Sequence, residues 1–371
     1  MFLPFYMCGA VLIFLTIRLL IKGEIQEAYR KIDKSQYILI FGALSFVVSL
    51  IYQNYLGALC SVGLVIILSF VLYYRIHIDK KLFDFLTDLI IVMSFFAALY
   101  GLVEYIGILN DFGIDRFEII FFNSPKNRVN SVFFNANYYA MMIEFFVLIA
   151  FYKLLQIKDL KTHFQDICKL LVIIGLNLFL LALTACRTAW PALAAGLLVV
   201  LIIDKRYKTC TAIFIILAAV LLYFVFNPSQ FPRVDNIVDY FGTRMSIWQV
   251  AIKNIKTHPL FGEGPMTYMH IYEQYNGHPT QHAHSVYLDP LLCFGIVGIA
   301  SICPYVFNNI KKLYQLWKAK IDKTLVALVV SFTVMVLVHG ILDYTIFFVQ
   351  TGFLYLLIAS SFDVYSQELQ A

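Results

Sequence analysis

The chain has 371 residues, of which 61% are hydrophobic and 14% charged, with a formal net charge of +5. That composition excludes a water-soluble globular domain and a disordered chain. The basic residues are spread over many short connections instead of one face, which argues against a nucleic-acid partner.

A membrane-spanning helix needs roughly 20 mostly apolar residues, and such stretches recur from end to end. In chain order the predicted spans are 2–21, 37–52, 56–74, 85–107, 137–155, 168–186, 188–203, 209–226, 285–307, 324–342 and 345–362. The expected fold is therefore an all-α integral membrane protein of about 11 helices, roughly 10–12 given the short joints, in a single polytopic domain over 1–371. The first span lacks a basic leader and a small-residue cleavage site, so it reads as a retained helix. The seven cysteines fall nearly all inside apolar runs, form no CxxC pair, and read as small buried hydrophobes.

The connections at 22–34, 75–81, 153–169, 205–208 and 311–323, with Arg18, hold 20 of the 28 Lys and Arg residues. Basic loops stay in the cytoplasm, which predicts an external N-terminus and a cytoplasmic C-terminus. Two long segments, 108–136 and 227–284, then lie outside. The second is rich in Tyr, Phe, Ile and Met, with Pro and Gly spaced as punctuation, and reads as an ordered, functional loop.

Five of the eight histidines lie in that loop. His258, His270 and His278 read as solvated loop residues, whereas His282 and His284 are pinned where the chain re-enters the bilayer, with Ser285 as a helix N-cap. An H-x-H pair could bind zinc, but no HExxH and no cysteine partner accompanies it, and zinc takes three or four ligands. Upstream, Thr243 is expected to cap a helix over 244–256. Arg244 would then lie in its first turn, where the dipole favours an anion rather than a cation, so it is an anion-binding candidate or a residue reaching lipid phosphate. Arg187, at the edge of two apolar helices, is a second costly cation, and Arg128 a third candidate. Asp343 lies near the outer end of its helix, while Glu104 and Glu144 read as ties between helices. Tyr268, Tyr272 and Tyr275 recur at helical spacing, either to stack on sugar rings or to pack inward.

Three stretches, Arg244-x-x-x-Trp248-x-x-Ala251, His258-Pro259-Leu260-Phe261-Gly262-x-Gly264 and His282-Ala283-His284-Ser285-x-Tyr287-Leu288 with Gly295-Ile296-x-Gly298, occur in that order. Together they resemble the hallmark region of the O-antigen ligase and polymerase superfamily of bacterial envelope glycosyltransferases. Arg187-Thr188-Ala189-Trp190 and Asn135-Ala136-Asn137 with Ala140 resemble its Arg-containing helix start and its Asn-rich element, so the resemblance covers about 130–300. Ser285 stands where Asn is common and Ala136 where Pro is common, and eleven helices is one fewer than many relatives have.

The resemblance implies a bacterial inner-membrane enzyme that uses a glycan on undecaprenyl pyrophosphate, presented at the outer face, with the bilayer and other envelope polysaccharide assembly proteins as partners. It implies no cofactor. The expected chemistry is inverting, metal-independent glycosyl transfer to an acceptor sugar hydroxyl, with 227–284 as the catalytic loop. Arg187 and Arg244 would hold the pyrophosphate and His284 would act as base, with Arg128, His282, Tyr268, Tyr272 and Asp343 binding substrate. A surface-polysaccharide polymerase (capsule, exopolysaccharide or O-antigen) is favoured over a ligase that attaches the glycan to lipopolysaccharide core or another acceptor. A lipid-linked glycan transporter is the alternative of a different class, disfavoured because the unusual residues lie in one unpaired loop.

Overall fold

A computed structural model describes residues 2–122, 124–159, 161–227 and 237–365, and all regular structure among them is helical. Helices α1 (Phe5–Ile21) and α2 (Glu24–Lys31) meet at an 83° bend at Gly23. Gly23 takes φ 79°, a conformation that glycine adopts without steric cost. Helices α3 (Gln36–Ile51) and α4 (Tyr55–His77) form a hairpin capped by Asn54, whose side chain accepts from Gly57 N at 2.9 Å. Their hydroxyls Ser45 and Ser61 meet at 2.7 Å, an interhelical tie of the kind favoured where lipid replaces water.

Helix α5 (Lys80–Asp111) precedes α6 (Ala136–Gln156), the central helix, in which every residue from Tyr138 to Ala150 is buried. Helices α7 (Phe164–Leu183) and α8 (Ala189–Ile203) pack on α6, while α9 (Tyr207–Phe226) has no buried side chain among the described residues. An apolar helix with that exposure needs a non-aqueous surround, which the bilayer supplies. The long loop contributes α10 (Ile237–Thr257) and α11 (Thr267–Ile271). The chain ends with α12 (Leu288–Ala319), α13 (Lys323–His339) and α14 (Val349–Ala359).

Each predicted span overlaps one α-helix, and the protein is multi-pass, but the count of eleven is not established. By length and apolarity, five helices among the described residues, α4 to α7 and α12, qualify as spans, and the bent α1–α2 pair would make six. Several of the others are short: a helix of 17 residues such as α13 rises about 26 Å, below the ~30 Å of a hydrocarbon core. Arg75, counted above as a loop cation, is buried in the last turn of α4, with Nε 2.5 Å from Asp363 and Nη1 donating to Tyr305 at 2.8 Å.

One feature of the long loop differs from expectation, in the part that is described. Residues 228–236 of the loop, Arg233 included, lie outside the described residues. Helix α10 begins at Ile237, so Thr243 is not its cap but an interior residue whose hydroxyl donates to Asp239 O at 3.0 Å. Arg244 therefore stands in the third turn, and the helix-dipole argument for it falls. The apolar run before Thr243 is long enough to extend the helix, and a threonine inside a helix turns its hydroxyl back to the i−4 carbonyl.

The loop is fastened to the bundle at a break in α12. Gly295 takes φ 60° and ψ −175°, interrupting the helix. The freed donors are taken up by the loop: Ile296 N and Val297 N donate to Pro259 O and Leu260 O at 2.9 and 2.8 Å, and Gly264 N donates to Cys293 O at 2.7 Å. Backbone this close leaves no room for side chains, because a Cβ on Gly295 would lie 2.4 Å from the Leu260 carbonyl carbon. Asn54 adds a clamp from the other side, donating to Glu263 O and Pro265 O at 3.2 and 2.7 Å.

Candidate active site

The segment after α11 carries the two pinned histidines. Asn276 in the left-handed region (φ 51°) ends the helical turns, and Ser285 Oγ accepts from Tyr287 N and Leu288 N at 3.3 and 3.4 Å, loosely capping α12. Between them His284 holds φ 48°, a conformation costing an L-residue roughly 1 kcal/mol. It is held there by its side chain. His284 Nδ1 donates to Asp343 Oδ1 at 2.7 Å, and Nε2 accepts from Thr280 Oγ1 at 2.9 Å. The carboxylate on Nδ1 fixes the tautomer that leaves a lone pair on Nε2.

Asp343 links this histidine to the arginines. Asn137 Nδ2 donates to Asp343 Oδ2 at 2.6 Å and Asn137 Oδ1 accepts from Arg128 Nη2 at 2.7 Å, while Arg128 Nε donates to Thr184 O at 2.6 Å. Burial alone would raise the Asp343 carboxyl, but His284, Arg244 and His282 outweigh it and hold the group well below the usual carboxylate range. Burial, reinforced by His284 and Arg244 and partly opposed by Asp343, lowers the His282 imidazole to about 3, so it is neutral. His282 Nδ1 accepts from His284 N at 3.2 Å and the two rings lie 4.3 Å apart, which makes His282 a support for His284.

Arg128 and Arg187 line one cavity of about 170 Å³, with Asn137, Thr188, Tyr240 and Phe241. The Tyr240 ring is shared by two cations, with the Arg187 guanidinium 5.1 Å and that of Arg244 4.6 Å from its centroid. Arg244 Nη2 also donates to Tyr240 Oη at 2.6 Å, whereas its buried Nε has no hydrogen-bond partner among the described residues. Burial, then the charge of Arg128, push Arg187 below its ordinary value, with Tyr240 opposing. Like charges gathered this way favour an anion between them. Behind Thr188, Glu144 Oε1 on α6 and His339 Nδ1 on α13 meet at 2.6 Å, both fully buried, and His339 Nε2 lies 3.5 Å from Thr188 Oγ1. Glu104 accepts from Asn130 N and Ser131 N at 3.0 and 2.7 Å, fastening the first long loop.

Of the residues singled out in the sequence, His284, His282, Asp343, Arg128, Arg187 and Arg244 are gathered here. The tyrosines are not. Tyr268 is fully buried among Ile247, Val250, Ala251, Ile271 and Leu292, so it has no ring face free for a sugar and the inward-packing alternative describes it. Tyr272 is half-buried and donates to Glu273 at 3.0 Å. Sequence reading missed Thr280 and Tyr240 as site members and named Asn137 only as part of the Asn-rich element. Tyr240 left a signal in standing four residues before Arg244 on one helix.

His282, His284 and Asp343 also offer three ligand atoms within 4.8 Å of one another, a geometry that could hold a metal ion. In the arrangement described, however, two of the candidate groups, His284 Nδ1 and Asp343 Oδ1, bond directly to each other.

Residues 170–303, about a third of the chain, match the protein family described as O-Antigen ligase. The resemblance stated for the region 130–300 therefore holds over that segment, which contains Arg187, Arg244, His282 and His284. No curated protein matches the chain.

Proposed function

For a chain carrying an O-antigen ligase segment at residues 170–303, we propose glycosyl transfer from a lipid-pyrophosphate-linked oligosaccharide to an acceptor sugar hydroxyl at the outer face of the cytoplasmic membrane. The observation that supports it most is one continuous run of hydrogen bonds, Arg128 to Asn137 to Asp343 to His284, joining a cationic cavity to a histidine whose other ring nitrogen meets a hydroxyl, that of Thr280.

The acceptor hydroxyl takes the position that Thr280 Oγ1 holds against His284 Nε2. As its oxygen bonds to the anomeric carbon, its proton passes to Nε2. The bond from that carbon to the phosphate oxygen breaks, and the electron pair leaves with the pyrophosphate. Attack opposite the leaving group inverts the anomeric centre. A sugar hydroxyl is a poor nucleophile at neutral pH, and a positioned base contributes about 10²- to 10⁴-fold. Pyrophosphate leaves as an anion, so its departure needs charge stabilisation more than a proton, and Arg187 and Arg244 supply donors of matching geometry. Asp343, expected to bind substrate, instead orients the base and stabilises its protonated form. Arg128 lines the cavity while anchored to Thr184 and Asn137.

Of the two acceptor classes, the reading carried forward is a surface-polysaccharide polymerase over a ligase. A metal-assisted reading has the three-ligand cluster in its favour. The test is His284→Ala in the native membrane, assayed for transferred glycan. Loss of product by at least about 10²-fold with normal membrane abundance is expected, and activity near wild type would remove His284 as the base. Loss of activity in chelator, restored by added zinc, would favour the metal reading.

A further inference from the structure

At the other end of the bundle from His284 lies a larger groove of about 720 Å³, formed by the C-terminal ends of α8 and α12 and the first turns of α9 and α13. Helices α8 and α13 each have one end at the active site and the other here, so roughly 23–26 Å of helix separates the two. The floor is apolar, with Ile203, Leu313, Val326 and Val330, and the aromatic rings of Tyr207, Tyr314 and Trp317 stand at the edge, each about half exposed. Four lysines complete the lining: Lys205, Lys318, Lys320 and Lys323.

These cations are not there to neutralise the protein's own acids. Among the described residues the lysines in ion pairs are Lys22, Lys31, Lys80, Lys153 and Lys169. The two carboxylates on these turns are engaged elsewhere, Asp204 with Arg206 at 2.7 Å, and Asp322 with Leu325 N at 2.9 Å and Tyr365 Oη at 2.8 Å. Two of the lysines also sit where lysine is unfavourable, Lys205 at φ 61° and Lys320 at φ 59°, at helix ends where glycine is the usual residue. Lys323 begins α13, where the helix dipole repels a cation.

A groove with an apolar floor, an aromatic edge and a rim of unpaired lysines has the complementarity of an amphiphile with an anionic head. We propose that it binds an anionic phospholipid, the phosphodiester among the four lysines and an acyl chain along Leu313, Val326 and Val330. The size fits, since ligand sites commonly span about 300–1,000 Å³. The site is independent of the glycosyl-transfer reading and lies on the side that the basic loops assign to the cytoplasm.

The experiment uses the full chain in nanodiscs of equimolar phosphatidylglycerol and phosphatidylcholine, with retained lipid counted by native mass spectrometry. Wild type should retain phosphatidylglycerol about tenfold over phosphatidylcholine. The variant K205A/K318A/K320A/K323A should lose that preference, while K34A/K81A/K158A/K161A, which removes equal charge from the same predicted face outside the groove, should keep it within about twofold. Equal retention of the two lipids by wild type, equal loss in both variants, or a two-chain species that disappears in the first variant would overturn the proposal. A second measurement needs no variant. Phosphatidylglycerol with a photoreactive acyl chain should label peptides containing Tyr314 to Trp317 or Val326 to Val330, and labelling confined to other segments would refute the site even if the quadruple variant does not fold.

Discussion

His284 shows how much one residue owes to its neighbours. Its imidazole is aimed by Asp343 from the turn after α13, its backbone is held in a left-handed conformation, and its amide is tied to His282. His282 itself is legible in the sequence as half of a pinned H-x-H pair, expected to bind substrate. Its role as a buried neutral support depends on burial that no local pattern discloses. That burial has a measurable consequence. His282 titrates near 6.5 in the unfolded chain and near 3 in the folded one. Between those values the unfolded state binds the extra proton, so the stability is fully present above 6.5 and is lost as the pH falls toward 3, by up to about 1.4 kcal/mol per pH unit. Thermal midpoints of wild type and His282→Gln at pH 7.5, 6 and 5 should diverge, with the variant declining less steeply. Parallel declines would mean that His282 does not titrate in this window.

Among the elements, the break in α12 decides where the loop goes. Gly262-x-Gly264 and Gly295 were both legible as parts of the family-like stretches, and the former as punctuation in the loop. Neither reading indicated that the two glycine sites would face each other with their backbones in contact. The reason is that close approach is a property of a pair of segments. A Cβ on Gly295 would meet Leu260 backbone at 2.4 Å, and its φ/ψ falls in a region open essentially to glycine alone. Gly295→Ala should therefore lower stability by about 1–3 kcal/mol or more, read as a drop in thermal midpoint, and should reduce activity although His284 is intact. Gly107→Ala, in α5 with nothing within 4 Å of the added carbon, should be neutral or slightly stabilising. Equal effects of the two substitutions would show that the loop does not depend on the break.

The whole molecule is an assembly of apolar helices around α6, with polar ties only at particular heights. The spacing of apolar runs located those helices, because burial in lipid and burial in protein both demand apolar side chains. For the same reason it could not say which short helices cross, and α3, α8, α13 and α14 remain below the length of an isolated span. Orientation belongs to this scale as well, since it comes from the sum of basic loops. In a background without native cysteines, His278→Cys should react with a membrane-impermeant thiol reagent in intact spheroplasts, and Lys158→Cys should react only after lysis. Both positions are exposed. The reverse pattern would invert the topology and move the candidate active site to the cytoplasm.

By itself the sequence determined the membrane class, the positions of the helices and the residue types able to bind an anion and accept a proton, because each follows from local composition or from an ordered motif. Only the tertiary structure decided which of them meet. Arg128, Asn137 and Asp343 lie outside the segment matched to the O-antigen ligase family, yet they complete the run of hydrogen bonds that reaches His284. Tyr268, equally prominent in the sequence, is consumed by packing. The difference is geometric: a side chain's chemistry is written in its type, but its partner is set by helices that approach across 200 residues of chain, as α6 and the turn after α13 do at Asn137 and Asp343.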